Sequence, residues 1–250
     1  MLATINVKYL KTMIELLGNK TTEANLDITE NGIDMAHSDG VEFLWVTLPK
    51  NEFIAYEFTE NISFCINTKT FGAVIKKLEN ENIRLDISNS QIKMFIQQDR
   101  KKKEYNLRVM DEIEDKSNSI KHIKTQLISG KEETFGDACI LNPKEIQNMI
   151  SDLVLDLENV TIQIVNNNLI IREEEATRGN NKSQLTLLGA LNLIDKSARY
   201  NKKRLLSVIE PIAKTFDKVQ VRFKDDTPIL IKIDENMKMY YFLAPIVENI

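Results

Sequence analysis

The chain has 250 residues, of which 42% are apolar and 28% are charged, and its formal net charge is −4. This composition is ordinary for a globular protein, and the length allows one large domain or two smaller ones. No run of about 18 apolar residues occurs, which argues against a membrane-spanning helix. The acidic net charge gives no indication of nucleic-acid binding by itself.

The first half of the chain predicts a helix, a hairpin, a second helix and a further strand pair, in that order. Apolar residues in 7–17 recur at the spacing of one helical face. The segment 24–35 alternates apolar and polar residues around Asn31-Gly32, the strongest short signal for a β-hairpin. A second amphipathic stretch, 68–78, precedes another alternating segment at 83–96.

Polar and charged residues dominate 111–132, which is long for a connection inside a compact unit. We predict an exposed linker there. This divides the chain into a first domain at 1–110, a connecting loop at 111–132 and a second domain at 133–250.

The second half repeats the order of the first at a nearly constant offset. Residues 143–153 predict a helix in which Met149-Ile150 repeats the Met13-Ile14 pair of the first helix. The hairpin pattern returns around Asn167-Asn168 at the same offset from Asn31-Gly32, and 204–216 predicts a fourth helix. Pro211 predicts a kink in that helix or its end near Glu210. One offset across four elements favours duplicated halves over chance.

The two cysteines, Cys65 and Cys139, lie in apolar, strand-like segments of different halves. We predict two buried, reduced thiols in an intracellular protein, and no disulfide between them.

The outward faces of the four predicted helices carry nine basic and four acidic residues, a net charge of +5 on an acidic chain. Such helices predict a cationic surface for phosphate groups, if they share one side of the molecule. Tyr9 is the only aromatic residue near this stripe, so stacking on single strands is not expected. The expected contact is with the nucleic-acid backbone, weak and independent of base sequence. The basic residues are Lys8, Lys11, Lys69, Lys76, Lys77, Lys144, Lys203, Arg204 and Lys214, and the acidic ones are Glu15, Glu145, Asp152 and Glu210.

No catalytic, cofactor or metal site can be assembled from the sequence. His37 and His122 are the only histidines, and neither belongs to a zinc-binding motif. Phosphate-binding glycine loops and nucleophile motifs are absent as well. The acidic run Glu173–Glu175 predicts a solvated strand end. We therefore expect a protein that is not an enzyme.

Several segments, in order and spacing along the whole chain, resemble the PCNA family of sliding clamps in its archaeal and eukaryotic form. The similar segments are EANLDITENGI (23–33), ISFCINTKTFGAVIKKL (62–78), Met110-Asp111, DDTPILIKI (225–233) and MYYFLAP (239–245). The resemblance implies an α+β fold of two similar domains, each with two helices packed on antiparallel sheets. It also implies that three chains close into a ring around duplex DNA.

The resemblance carries functional expectations onto particular residues. DNA-facing roles are implied for Lys11, Lys76, Lys77 and Arg204, while helix geometry adds Lys8, Lys69, Lys203 and Lys214. Subunits are expected to join through the strand edges 105–109 and 183–188, by way of Tyr105, Leu107, Val109, Leu185 and Leu187.

An apolar pocket for partner peptides is implied beside the C-terminal strand. Its expected lining is Phe43, Leu127, Ile128, Pro228, Phe242, Leu243, Ala244 and Pro245. The alternative is that Phe242 and Leu243 are plain core residues of a last strand. The segment 32–43 is shorter than the family's loop, and Gly40 stands where the family usually has a histidine, which affects the floor of this pocket.

The implied partners are double-stranded DNA, other clamp subunits, a DNA polymerase, the clamp loader, a flap endonuclease and a DNA ligase. The implied location is intracellular: the cytoplasmic nucleoid in an archaeon, or the nucleus in a eukaryote. The ring can be a homotrimer or a heterotrimer. Two other functions stay open: a clamp-like subunit of a checkpoint or transcription complex, and an enzyme with an unrecognised site.

Overall fold

A computed structural model describes residues 1–78, 82–88, 90–98, 101–111, 120, 123–125, 127, 131–175, 179–187 and 195–246. The chain forms two compact units. The first comprises Met1–Asp39, Leu44–Thr125 and Asp234–Met239, and the second Gly40–Phe43, Gln126–Ile233 and Tyr240–Ile250. Among the residues described, no helix has the length and apolar character needed to cross a membrane.

The first unit contains two helices and two sets of antiparallel strands. Its helices α1 and α2 contact each other. One set of strands has the order β5-β1-β7-β8-β9, and the other has β4-β3-β2-β6. The elements are β1 Leu2–Asn6, α1 Val7–Gly18, β2 Glu23–Thr29, β3 Gly32–Ser38, β4 Glu42–Pro49, β5 Phe53–Glu57, β6 Ile62–Asn67, α2 Thr68–Ile75, β7 Asn82–Ile87, β8 Gln91–Gln98 and β9 Lys101–Arg108.

The second unit repeats this plan. Its helices α3 and α4 also contact each other, and its strands run in the orders β13-β12-β11-β14 and β10-β15-β16-β17. The elements are β10 Cys139–Leu141, α3 Pro143–Ser151, β11 Asn159–Val165, β12 Asn168–Glu175, β13 Gly179–Thr186, β14 Lys196–Asn201, α4 Lys202–Ala213, β15 Val219–Arg222, β16 Ile229–Asp234 and β17 Lys238–Leu243.

The core follows from the period-two pattern of the strands. In β2, for example, Ala24, Leu26 and Ile28 are buried, while the residues between them are partly exposed. Alternating apolar side chains therefore cover one face of each sheet, and the apolar stripes of the helices pack on them.

The duplication predicted from the sequence is present in the element boundaries. One and the same offset separates the first residues of α1 and α3, of β2 and β11, and of β3 and β12. The predicted α+β class, with two helices on antiparallel sheets in each half, is confirmed.

Both hairpin turns lie one residue earlier than predicted. The two-residue turns are Glu30-Asn31 and Asn166-Asn167, as the pairs Thr29↔Gly32 and Val165↔Asn168 show. Asn166 and Asn167 have φ values of 48° and 60°, which suits the turn type favoured in hairpins. Gly32 is needed for another reason: a Cβ there would lie 2.1 Å from the carbonyl oxygen of Leu48.

The structure corrects one expectation about where the last helix ends and one about the exposure of the connecting loop. The helix α4 continues past Pro211 to Ala213, so it does not end near Glu210. The missing Pro211 N–H falls close to the helix end, where its cost is limited to one bond. In the connecting loop, Leu127 is buried rather than exposed, because it is apolar and packs into its unit.

Both cysteines are buried and neither is part of a disulfide, as expected. Burial raises the pKa of the Cys139 thiol, which keeps it protonated and unreactive at neutral pH.

Candidate nucleic-acid interface and partner pocket

The helices α1, α2, α3 and α4 begin in the same way, with an asparagine cap. The side-chain oxygens of Asn6 and Asn142 accept from the backbone N–H two residues ahead, at 3.0 and 2.9 Å. Those of Asn67 and Asn201 accept from the N–H three residues ahead, both at 2.9 Å. Each cap satisfies a backbone donor that the helix leaves free, which explains why the helices start at these residues.

A lysine follows each cap at the second helical position, and all four lysines are exposed. The N-terminus of a helix carries a partial positive charge, so a cation there is destabilising by a few tenths of a kcal/mol or more. No acidic residue occupies the first turn of α1, α2 or α4. The four lysines are Lys8, Lys69, Lys144 and Lys203.

This repeated placement is therefore not explained by helix stability. A backbone dipole and a lysine that point the same way together form a site that attracts anions such as phosphate. The repeated Asn-x-Lys at 6–8, 67–69, 142–144 and 201–203 is readable in the sequence, and the prediction of DNA contacts made no use of it.

The other predicted DNA contacts differ in their surroundings. Lys76, Lys77 and Lys214 are exposed near the ends of their helices. Lys11 is half-buried and donates through its Nζ to the carbonyl oxygen of Leu78, just past α2. Arg204 is bound to a buried carboxylate, that of Glu42, with Nη1 and Oε1 3.0 Å apart.

A groove of about 300 Å³ lies between α1 and α2. Three lysines line it, Lys11, Lys69 and Lys76, together with one acid, Glu15. Beside the outward face of α1, burial, reinforced by the charge of Glu52, raises the pKa of Tyr9, so its hydroxyl stays neutral. The groove therefore has a cationic lining that suits an anion.

The predicted pocket residues are more buried than expected. Leu243 has no exposed surface, Phe43 has 3% and Leu127 has 6%. Phe242, Ala244, Pro245 and Pro228 are half-buried, and Ile128 lies outside the described residues. Leu243 is thus a core residue, and the accessible wall is formed by its half-buried neighbours.

An aromatic cluster that the sequence did not predict supports this wall. The Phe242 ring lies 6.0 Å from the Phe43 ring and 4.8 Å from the Phe135 ring, centre to centre. The chain after β17 is held by two backbone bonds, from Ala244 N to Val41 O at 2.9 Å and from Ile246 N to Arg199 O at 2.7 Å. Together these contacts fix the half-buried residues that follow the last strand.

Each unit ends one of its sheets with a strand that, in the described residues, pairs on one side only. These strands are β9 and β13. Tyr105 and Leu107 of β9 lie opposite Met94 and Ile92, which are buried, yet they themselves stay half-exposed. Leu185 of β13 is half-exposed in the same way, and so are Val109 and Leu187, which directly follow the two strands. The predicted interface residues are therefore half-covered apolar side chains at or beside sheet edges.

The backbone of β9 has a defined outward side. Val109 N donates inward to Ser90 O of the neighbouring strand, at 3.4 Å. Hydrogen-bonded pairs alternate along an antiparallel ladder, so Leu107 also directs its N–H inward, and Asn106 and Arg108 direct theirs outward. By the same argument, the inward bond from Leu187 N to Asn167 O directs the N–H of Thr186 outward from β13.

Within the acidic run of β12, Glu174 is exposed as predicted, but Glu173 is not. Glu173 has no exposed surface. Its carboxylate accepts from Leu155 N at 3.0 Å, Leu157 N at 3.1 Å and Lys202 Nζ at 2.7 Å. Burial is tolerated because both oxygens are hydrogen-bonded and the charge is paired.

Residues 3–118 match the model of the family described as Proliferating cell nuclear antigen, N-terminal domain. A comparison with curated protein sequences finds no match.

Solved clamp structures are similar over nearly the whole chain. PCNA from Entamoeba histolytica has a TM-score of 0.80 at 17% identity, covering 98% of both chains. PCNA from Thermococcus kodakaraensis also has a TM-score of 0.80 at 17% identity, covering 98% of this chain and 99% of that one. The PCNA2–PCNA3 complex from Sulfolobus tokodaii gives 0.79 at 16%, with the same coverage.

At these identities the solved structures establish the fold, and the family match covers the N-terminal half. Residues 3–118 are therefore similar to the PCNA N-terminal domain, and the chain has the fold of the solved PCNA clamps over nearly its whole length.

Proposed function

We propose that the chain is one subunit of a closed three-chain ring that slides on duplex DNA and tethers replication and repair enzymes to it. The observation that carries this proposal is the exposed lysine at the second position of all four helices, where the helix dipole disfavours a cation. A DNA phosphate would reverse that penalty, because it is attracted by the lysine and by the helix end together.

The DNA face would consist of these four lysines with Lys11, Lys76, Lys77 and Lys214. Phosphate contacts carry no base information, so binding would be independent of sequence. Such contacts are also weakened by salt, by roughly 10³–10⁵ between 50 and 200 mM when 6–10 phosphates are neutralised. Stable residence on DNA therefore requires a closed ring in addition to charge.

Ring closure would pair the edge strand β9 of one subunit with the edge strand β13 of the next. The support is that each edge, within the described part of the chain, has outward N–H groups such as those of Asn106 and Thr186, and half-exposed apolar side chains on its core-facing side. Pairing would continue both sheets and cover Tyr105, Leu107 and Leu185. Such a contact is heterologous, so it generates a ring when its rotation closes.

The partner site would be a wall formed by the exposed Val41 and the half-buried Phe242, Ala244, Pro245 and Pro228. Its occupant would be a short peptide with an aromatic anchor, carried by a DNA polymerase, the clamp loader, a flap endonuclease or a DNA ligase. Aromatic anchors in apolar pockets supply most of the energy of such contacts.

Sedimentation equilibrium tests the assembly. The chain, alone or mixed with clamp paralogues of the same genome, is expected to form a complex of three times the mass of one subunit, which is 28.8 kDa for this chain. Monomers at every concentration, both alone and in all mixtures, would contradict the proposal.

A further inference from the structure

Arg204 differs from the lysines of the helix face because its charge is already neutralised within its own unit. Its guanidinium lies 3.0 Å from Glu42, and only 5% of the Glu42 side chain is exposed. A DNA phosphate would have to compete with this carboxylate. Lys203, the preceding residue, is exposed.

The carboxylate of Glu42 contacts two groups, the Arg204 guanidinium and the Tyr241 hydroxyl. One oxygen accepts from Arg204, and the other accepts from the Tyr241 hydroxyl at 2.7 Å. That hydroxyl also lies 3.2 Å from the backbone oxygen of Arg204. The three residues therefore form a closed cluster in which Glu42 and Tyr241 are buried and the Arg204 side chain is 34% exposed, and each polar group supports the other two.

This cluster adjoins residues of the partner site on both sides of Glu42. Glu42 stands between Val41, whose carbonyl oxygen holds Ala244 N, and Phe43, whose ring packs on Phe242. Tyr241 directly precedes Phe242 in β17. A shift of the Glu42 carboxylate would consequently move the Val41 carbonyl and the Phe242 ring together.

We propose that Arg204 is a positioning residue of the partner pocket and not a DNA contact. This inference rests on the proposed peptide site. Arg204 orients the buried carboxylate of Glu42 through their ion pair, and Glu42 in turn holds segment 41–43 and β17 at a fixed separation. A buried carboxylate that loses its cation is strongly destabilising, so the neighbouring segments would rearrange.

The test compares Arg204→Gln with Lys203→Gln in the full chain. The first readout is calorimetric binding of a short synthetic peptide that carries a Phe-Phe pair. The second is loading onto nicked circular plasmid by the ATP-driven loader. We expect Arg204→Gln to weaken the peptide by about tenfold or more, as for lost bonds to charged groups, and to load normally. Lys203→Gln is expected to bind the peptide normally and to load less well.

Two further variants separate positioning from general stability. Arg204→Lys restores a cation and should recover part of the peptide affinity. Glu42→Gln combined with Arg204→Gln removes both charges, so it should regain stability to urea relative to Arg204→Gln alone, while the affinity stays reduced. Recovery of affinity in proportion to stability would overturn the positioning role.

Two outcomes distinguish this inference from the pocket itself. If the wild type binds the peptide and Arg204→Gln binds it within twofold, the inference is wrong and the pocket stands. If the wild type binds no peptide with an aromatic pair, the pocket proposal is wrong and this inference with it.

Discussion

Basic side chains have opposite surroundings in two regions of the molecule, the first turns of the helices and the neighbourhood of the last strand. At the helix starts, four lysines are exposed where the dipole opposes them. Next to β17, Arg204 is bound by a buried carboxylate, and Lys202 is bound in the same way on α4. The comparison teaches that a basic residue on an outward helix face indicates function only when its charge is not already balanced inside the fold.

The largest effect is expected from breaking a balanced charge. Glu173→Gln should destabilise the protein by about 3–5 kcal/mol, because it removes the nearer carboxylate partner of Lys202, at a position where the glutamate itself has no exposed surface. Urea unfolding measures this free energy.

The matched control is Glu174→Gln on the neighbouring residue. The side chain of Glu174 is 55% exposed, and its ion pair with Arg172 spans 3.3 Å. Exposed pairs contribute about 0–1 kcal/mol, so equal losses for the two variants would show that Glu173 is not an essential buried anion.

The proposed ring edge is tested by removing single backbone N–H groups of β9 that point outward or inward. Asn106→Pro removes an outward donor, so we expect loss of ring assembly in sedimentation with an unchanged unfolding midpoint. Leu107→Pro removes an inward donor to β8 and should also lower the midpoint, because it breaks the chain's own ladder. An Asn106→Pro chain that still assembles would exclude β9 as the joining edge.

The partner site predicts a loss of peptide affinity without a loss of DNA loading. Phe242→Ala should weaken an aromatic-anchored peptide by about 2–4 kcal/mol, since the ring is half-exposed within an aromatic cluster. Ile54→Ala is a suitable control, because Ile54 is 65% exposed on β5. Calorimetry that finds the same affinity for both variants would place the peptide elsewhere.

The smallest effect on stability is expected at the four exposed lysines of the helix starts. Replacing the lysine at the second position of each of the four helices by glutamate should stabilise each helix by roughly 0.3–1 kcal/mol at low salt, because the helix dipole favours a negative side chain there. Loading onto DNA should nevertheless fall sharply. The substitutions are Lys8→Glu, Lys69→Glu, Lys144→Glu and Lys203→Glu, and the control set is Lys50→Glu, Lys218→Glu, Lys224→Glu and Lys238→Glu.

In this quadruple variant, helix stability is expected to rise while DNA loading falls. Thermal unfolding at low salt and plasmid loading are measured on the same preparations. A variant that loads like the control set would show that the helix starts do not contact DNA.

Periodicity was enough to predict the helices and their duplication, since 3.6- and 2-residue patterns directly determine which faces are buried. The prediction misplaced the hairpin turns by one residue because Asn31-Gly32 is a strong local turn signal. Gly32 is instead required by the close approach of the Leu48 carbonyl, a tertiary contact that no local pattern contains.

The charged residues were harder to predict than the apolar ones. Strand alternation places Glu173 on the buried face of β12 with Leu169 and Ile171, and leaves Glu174 on the other face. The sequence does not show, however, that Lys202 of another element pairs with the buried glutamate. The sequence predicts Arg204 as a DNA contact because its helical position is outward, while its partner Glu42 comes from the opposite half of the sequence. Pairings over such distances leave no periodic signal.

A topological experiment tests the clamp account most directly. The protein is loaded onto nicked circular plasmid with its ATP-driven loader, the salt is raised, and the plasmid is then cut once. A closed ring should remain on the intact circle at salt that abolishes phosphate contacts, and it should be lost rapidly once ends exist. Equal loss from circular and linear DNA would mean that no ring closes around the duplex, and it would contradict the account.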